Sequence, residues 1–442
     1  MTLKLHKKDK LFIGILLLVH ALFFLTALVY KRIYMGDSFE YIYEALNIKT
    51  DFFFYSGNPA LPIQPEYMTQ RQPGYPLFLL GVYLFSVNNW IVLVLQNLLS
   101  VFNIYYCRKV LLRLGYHEKY DWLLLLLTIA YPAQFINANT IAPDILLQTF
   151  TLLYLGCFVS LVQSKQPRYA LQMSFTLIAG LMVKPVLYPF AFIHIIMIIV
   201  FCFRSCRSVA IAAFLPVLAV LLYNYSNLTR TGKFHFSSNQ SFNAIYYYYG
   251  YFTQKNGPTE AEQFLHKERD DIAALPRYKD RYDHANARGM ELLQQNFVPY
   301  MAYHLKNSAR IFIEPGKAEM DLFTGRLTYG RLYSKSQAGF YSTLKSKGWG
   351  GLGQYISDNP SVPLVLLVLI FNMIRLFGLF LFFYKSPIHW HLRLFIFMLL
   401  CYFAVAAGPI ANTRYFLPVS LIAIGCSVMG YMSILEKRRS NQ

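Results

Sequence analysis

Charge is what this chain has least of. Asp, Glu, Lys and Arg make up 14% of it against 56% hydrophobic residues, too little charge to clothe a soluble domain of this length. Acids are the scarcer sign, 22 against 41 basic residues. The net charge of +19 still does not mark a nucleic-acid binder, because much of it sits in short loops between apolar runs, where Lys and Arg set orientation. Cysteine is sparse as well. The six, at 107, 157, 202, 206, 401 and 426, lie in or beside apolar runs with no CxxC pair, which excludes a disulfide framework and a cysteine metal cluster. No two histidines fall at the i, i+4 spacing of a metal site. No cofactor and no protein-built metal cage are therefore expected, with a divalent metal left open. There is no internal repeat of the kind that marks the inverted halves of a transporter. The first apolar run lacks a small-residue cleavage site and is expected to be a retained helix.

What is present is membrane-spanning sequence. Apolar runs of about 20 residues, the length that crosses a bilayer, fall near 11–30, 89–107, 121–140, 143–162, 170–186, 187–203, 209–226, 361–384, 392–408 and 414–434. Aromatic content reaches 17%, as expected where many segments cross interfaces. Basic residues gather in alternate loops: Lys4, Lys7, Lys8 and Lys10; Arg108, Lys109, Arg113 and Lys119; Lys165 and Arg168; Arg204 and Arg207; Lys385 and Arg393; Lys437 to Arg439. The positive-inside rule then puts both termini in the cytoplasm, and the 31–88 loop and the long 227–360 segment outside. The expected architecture is an all-α, polytopic membrane helical bundle of about ten transmembrane helices. It divides into an N-terminal module (1–226), a mostly helical outer cap (227–360) and C-terminal helices (361–442).

The stretch from Gly36 to Leu79 organises the rest. Asp37 is placed to cap a short helix, with Glu40 completing a capping box. Phe39, Ile42, Tyr43 and Leu46 share one side of that helix, and Asp37, Glu40 and Glu44 share the other, which suits a helix lying in the membrane surface. Arg71-Gln72-Pro73-Gly74-Tyr75-Pro76 reads as a stiff turn into a further helix, where a guanidinium beside a helix N-terminus can hold phosphate. Ionisable residues also fall at the outer ends of spans: Asp144, Lys184 and Arg414. The expected roles are Asp37 as general base, Arg71, Lys184 and Arg414 as cations that neutralise a leaving phosphate, and Glu40 and Asp144 as secondary acids. Glu40 and Glu44 also fit solvated-face acids, and Asp144 fits a helix-dipole acid in the first turn of its span. The tyrosine run 246–251 reads as an interfacial aromatic belt, with a sugar-stacking platform as the alternative. Lys347 to Gly353 reads as a flexible glycine-rich joint.

Taken in order, these motifs resemble a known family. One span is followed by Gly36-Asp37-Ser38-x-x-Tyr41, then Arg71-x-Pro73-Gly74-Tyr75-Pro76-Leu77-Phe78-Leu79. Ala142-Pro143-Asp144, Lys184-Pro185, the Asn224-Tyr225 to Lys233-Phe234 approach, and Arg414-Tyr415 with Pro418 come after. The pattern resembles the GT-C glycosyltransferases of the protein O-mannosyltransferase and aminoarabinose-transferase type. The resemblance implies the GT-C fold, a polyprenyl-phosphate-linked sugar donor, and inverting transfer to an acceptor hydroxyl assisted by Asp37. It implies donor contacts from Arg71, Lys184, Arg414 and Tyr75, with Tyr41 and Tyr415 alongside. Ser38 stands where many members carry a second acid, and Lys184 where many carry Arg. The acceptor is left as protein, lipid or glycan, the surroundings as membrane lipids without nucleic acid, and the location as a bacterial inner membrane with an outward-facing site. Two rivals stand beside it: an O-antigen ligase or polymerase using a diphosphate-linked glycan, and a lipid or sugar transporter.

Overall fold

The computed structural model describes residues 6–202, 209–327, 348–351, 353, 355–357 and 359–440. Lys4, Arg204, Cys206, Arg207, and Lys347 and Leu352 of the expected joint lie outside them. The structure is a bundle of helices, with one isolated bridge pairing Tyr34 and Ile141. In chain order the helices are α1 (Lys7–Tyr30), α2 (Ser38–Asp51), α3 (Gly74–Tyr83), α4 (Asn89–Arg113), α5 (Asp121–Ile129) and α6 (Pro132–Ala138). Then come α7 (Asp144–Ser164), α8 (Pro167–Val183), α9 (Phe190–Cys202), α10 (Val209–Thr231), α11 (Asn239–Asn256) and α12 (Pro258–Ala273). The last are α13 (Tyr278–Gln295), α14 (Phe297–Arg310), α15 (Lys317–Phe323), α16 (Val362–Lys385), α17 (Trp390–Ala407) and α18 (Thr413–Ser440).

Seven of these are long and apolar enough to cross a membrane: α1, α4, α7, α10, α16, α17 and α18. The chain is an integral membrane protein. The other three expected spans are helical but shorter or broken. The 121–140 run divides at Pro132, which lacks the N–H an unbroken helix needs and opens α6 instead. α8 has 17 residues and ends before the Lys184-Pro185 pair, since a residue preceding proline avoids helical geometry. α9 has 13 residues.

Helix α18 is the axis, packed against α16, α7, α17, α5 and α4. Its seam with α16 is the tightest. A Cβ on Gly430 would collide with the Gly378 carbonyl, and one on Gly378 with Ser427 and Tyr431. Lipid-exposed helices gain little from apolar burial against each other, so close backbone approach through small residues holds such a seam. Gly430→Leu is expected to separate α16 from α18 and to lower the thermal midpoint in detergent more than Leu435→Ala, an exposed change on the same helix.

At one end of the bundle Arg108 is fully buried. It donates to Asp9 at 2.8 Å and to both oxygens of Asp121, each at 2.8 Å. It is thus a buried tie between α1, α4 and α5 rather than the interfacial loop charge its place in the sequence suggests. Residues 239–310 form four helices with a small core of their own: Ile245, Tyr248, Ala285, Leu292 and Tyr300. Here the tyrosine run is mostly packing material. Tyr248 and Tyr251 pack edge-on or tilted among Phe252, Phe264, Tyr300 and Tyr303, so these two belong to a helical core rather than to an interfacial belt, while Tyr246 is exposed. Gly348 to Gly351, expected as part of a loose joint, are helical.

Candidate functional site

Five chain segments converge at the end of the bundle opposite Arg108. The residues after α1 are pinned to those before α7. Ile141 donates its backbone N–H to Ile33 O at 2.8 Å, and the Ser38 hydroxyl donates to Ile141 O at 2.7 Å. Ser38, fully buried, also accepts the Met35 N–H at 2.7 Å. This serine is therefore a fastener that fixes Asp37 close to Asp144. The Arg71 turn docks on the end of α8: a Cβ on Gly74 would lie 2.5 Å from Met182 O, so only glycine allows the approach. That docking brings Arg71 and Lys184 to the same place. The corner between α17 and α18 turns through Gly408 (φ 58°) and Ala411 (φ 45°), and Asn412 accepts the Arg414 N–H at 2.8 Å as α18 begins.

Ion pairs interlock in the space between. Arg414 grips Asp37 with two hydrogen bonds, 2.8 and 3.2 Å, and donates its Nε to Asp144 at 2.6 Å. Lys184 donates to the other Asp144 oxygen at 2.7 Å. Arg71 donates its Nε to Glu40 at 2.5 Å and lies 3.8 Å from Asp37. Its guanidinium sits over the Tyr41 ring, and the Lys184 ammonium over the Tyr415 ring. Three cations and three carboxylates thus balance in the resting site. Both amino groups of Arg71 and two of the three Lys184 ammonium hydrogens make no hydrogen bond to the described protein, so donor capacity is left over for an anion.

The capping box is not made. The Asp37 carboxylate forms no bond to the start of α2, and neither does Glu40 reach back, because two guanidiniums claim these oxygens instead. Burial alone would raise the Asp37 carboxyl, but Arg414 and Arg71 beside it hold it well below the usual carboxylate range. Glu40 goes the other way, raised by burial against the pull of Arg71, with the Asp37 charge adding to the rise. Asp144 is wholly inaccessible, its side chain 0% exposed, and bridges Lys184 to Arg414. It is a support for the two cations rather than only a helix-dipole acid.

A cavity of about 1300 Å³ opens over this cluster. Asp37, Tyr41, Arg71, Lys184, Arg414 and Tyr415 line its polar end, and Tyr246 and Tyr247 of α11 roof it. From there it continues as an apolar groove between α9 and α17, past Ile193, Met197, Phe395 and Tyr402. From Phe395 to Tyr402 on α17 the groove runs on the order of 10 Å, about a third of a hydrocarbon layer. No motif marks the groove residues, which is why sequence reasoning did not name them. Tyr75, expected at the donor phosphate, is not there. It is fully buried, donates its hydroxyl to Gln96 at 2.6 Å and packs edge-on against Tyr41, so its place is in the wall behind the cavity. Glu40 and Asp144 also stand behind the lining. Among the described residues no three of His, Cys, Asp or Glu come together as a metal-holding group.

No protein-family model matches the sequence, and no curated protein is detectably similar to it. Among solved structures, the archaeal oligosaccharyltransferase AglB from Archaeoglobus fulgidus, in complex with an inhibitory peptide and a dolichol-phosphate, is similar at a TM-score of 0.45 and 12% identity. The alignment covers 96% of this chain and 50% of that one, so the chain spans about half that protein's length. A likeness at this level fixes no residue correspondence, and the functional reading rests on the cavity itself.

Glu44, one turn beyond Glu40, is 3% exposed rather than solvated. Its Oε2 has no hydrogen-bond partner among the described residues. Burial pushes its carboxyl up to about 8, against the pull of Arg230 and Arg71. Its contribution to stability is therefore fully present below about 4.5 and is lost as pH rises through about 8. Glu44→Gln is expected to match the wild type near pH 5 and to unfold at a higher temperature at pH 9, by roughly 2–4 °C for each kcal/mol recovered. Thermal unfolding in detergent across that range measures it.

Proposed function

We propose that the chain is an inverting glycosyltransferase of the GT-C type, moving a sugar from a polyprenyl-phosphate donor to an acceptor hydroxyl on the outer face of the membrane. The observation that carries this reading is the continuity of one cavity from a cation-rich polar end to an apolar groove within the bundle. A molecule with a phosphate at one end and a long apolar tail at the other fits such a shape. A free nucleotide sugar would leave the groove empty. The resemblance of the Gly36-Asp37-Ser38 and Arg71-x-Pro73-Gly74 motifs to polyprenyl-phosphate-dependent enzymes points the same way.

In this reading the tail lies between α9 and α17, and the phosphate meets Arg71, Lys184 and Arg414. The acceptor oxygen attacks the anomeric carbon opposite the phosphate. The carbon–oxygen bond to phosphate breaks with its electron pair, the cations hold the charge that develops there, and the acceptor proton passes to the Asp37 carboxylate. A carboxylate gripped by two guanidiniums is a weak base. The donor phosphate competes for those same guanidiniums, so Asp37 gains basicity when the donor is seated. Asp37 is thereby an effective base only when a donor is present to react.

The test is the lipid that accumulates when turnover stops. In cells carrying only Asp37→Asn, mass spectrometry of the lipid extract is expected to find a polyprenyl monophosphate bearing one sugar. Accumulation of a diphosphate-linked oligosaccharide instead would give the role to a ligase or polymerase.

A further inference from the structure

A second cavity, of about 310 Å³, lies where the 64–70 stretch meets α11 and α13. It shares Gln70, Asn239 and Phe242 with the large cavity, so the two are separated by a single layer of side chains. Its volume falls at the lower end for small-ligand sites. The lining is of two kinds. Tyr67, Phe242, Tyr278 and Tyr282 contribute aromatic rings, and Gln64, Gln70 and Asn239 contribute amides. Amides and hydroxyls both donate and accept, which matches a ligand whose groups do the same.

Its charges cancel within the wall. Arg281 donates to Glu66 at 2.5 and 2.8 Å and is held further by the carbonyls of Leu275 and Pro276. An anionic or cationic ligand therefore finds no unbalanced partner here. The wall is also braced in advance. His235 Nε2 lies 2.8 Å from the Thr69 hydroxyl and 3.2 Å from that of Tyr278, which ties the loop to α13. The backbone carbonyls of this stretch are taken: Ser238 donates to Glu66 O, and Ser237 and Asn239 both donate to Gln70 O. A polypeptide main chain recognised in extended form needs such groups open.

We propose that this cavity is a carbohydrate-binding subsite that seats the acceptor, which makes the acceptor a neutral glycan rather than a polypeptide. The word acceptor rests on the transferase reading above; the binding of sugar at this place does not. Sugar rings present apolar C–H faces to the aromatic rings and hydroxyls to the amides, and the subsite adjoins the large cavity at Gln70, Asn239 and Phe242.

The experiment needs no turnover. Full-length protein in nanodiscs is titrated with maltotriose, mannotriose and chitotriose, with binding followed by saturation-transfer NMR. At least one trisaccharide is expected to bind, with Tyr282→Ala and Gln64→Ala each weakening it at least tenfold. Gln64 is exposed at the rim, so its variant keeps the fold. The same head as an alkyl glycoside distinguishes the source: tighter binding indicates a glycolipid and equal binding a free or protein-borne glycan, and both support the subsite. No binding by any of the three, binding unchanged in both cavity variants, or binding of a Ser/Thr-rich peptide in their place overturns it. If sugar binds here and no transfer is ever found, the transferase reading fails and the subsite stands.

Discussion

Arg414→Ala is expected to lower transfer by about 10²–10³-fold and to destabilise the protein by about 3–5 kcal/mol at the same time. Both effects have one origin. Among the described residues Arg414 alone hydrogen-bonds both Asp37 and Asp144, and its loss leaves Asp144, whose side chain has no access to water, with Lys184 as its one remaining ion-pair partner. The two effects separate on a second substitution. Arg414→Ala combined with Asp144→Asn removes one charge of each sign and leaves the cluster balanced, so stability is expected to return while transfer does not. Thermal unfolding and turnover of a labelled polyprenyl-phosphate sugar, measured on the single and double variants, make the comparison. Recovery of both together would reduce Arg414 to a fold-keeping residue.

Asp37→Asn is expected to lose transfer by about 10²–10⁴-fold, the range for removing a general base, while donor binding survives. The amide keeps the shape and can still accept from Arg414, but it cannot take a proton. Donor affinity is expected to rise slightly, because the phosphate no longer competes with a carboxylate for Arg414 and Arg71. A variant with near-normal turnover would remove Asp37 from the proton-transfer step. Glu40, whose carboxyl is raised rather than lowered, would then be the acid to test next.

The polar half of the site was legible because ionisable residues at the ends of apolar runs are costly there and stand out against their surroundings. Asp37, Arg71, Lys184 and Arg414 lie far apart in the chain, yet the alternation of spans puts them at one end of the bundle, and the structure brings them into one cavity. Tyr75 misled because a motif does not say which way a ring points; its hydroxyl turned toward Gln96 in the wall. Asp37 as an N-cap was the right residue in the wrong bond, since local capping loses to two nearby guanidiniums that pattern alone does not reveal. Arg108 was read as a loop charge for lack of any sign that Asp9 and Asp121 would meet it. The groove between α9 and α17 was invisible because its lining is ordinary apolar sequence, distinguished only by a gap between helices. The break at Pro132 was available in the sequence, where one proline inside an apolar run outweighs the hydropathy around it.

The claim on which the rest stands is that Arg71 and Lys184 hold a lipid-borne phosphate at the mouth of the groove. Titration of decaprenyl phosphate against the purified protein in nanodiscs, for the wild type, Arg71→Gln and Lys184→Gln, measures it directly. Each variant is expected to bind at least tenfold more weakly, the loss of one charge-assisted hydrogen bond, and uncharged decaprenol is expected to bind all three weakly and alike. Equal affinity of all three proteins for the phosphate, or decaprenol binding as tightly as its phosphate, would contradict the account.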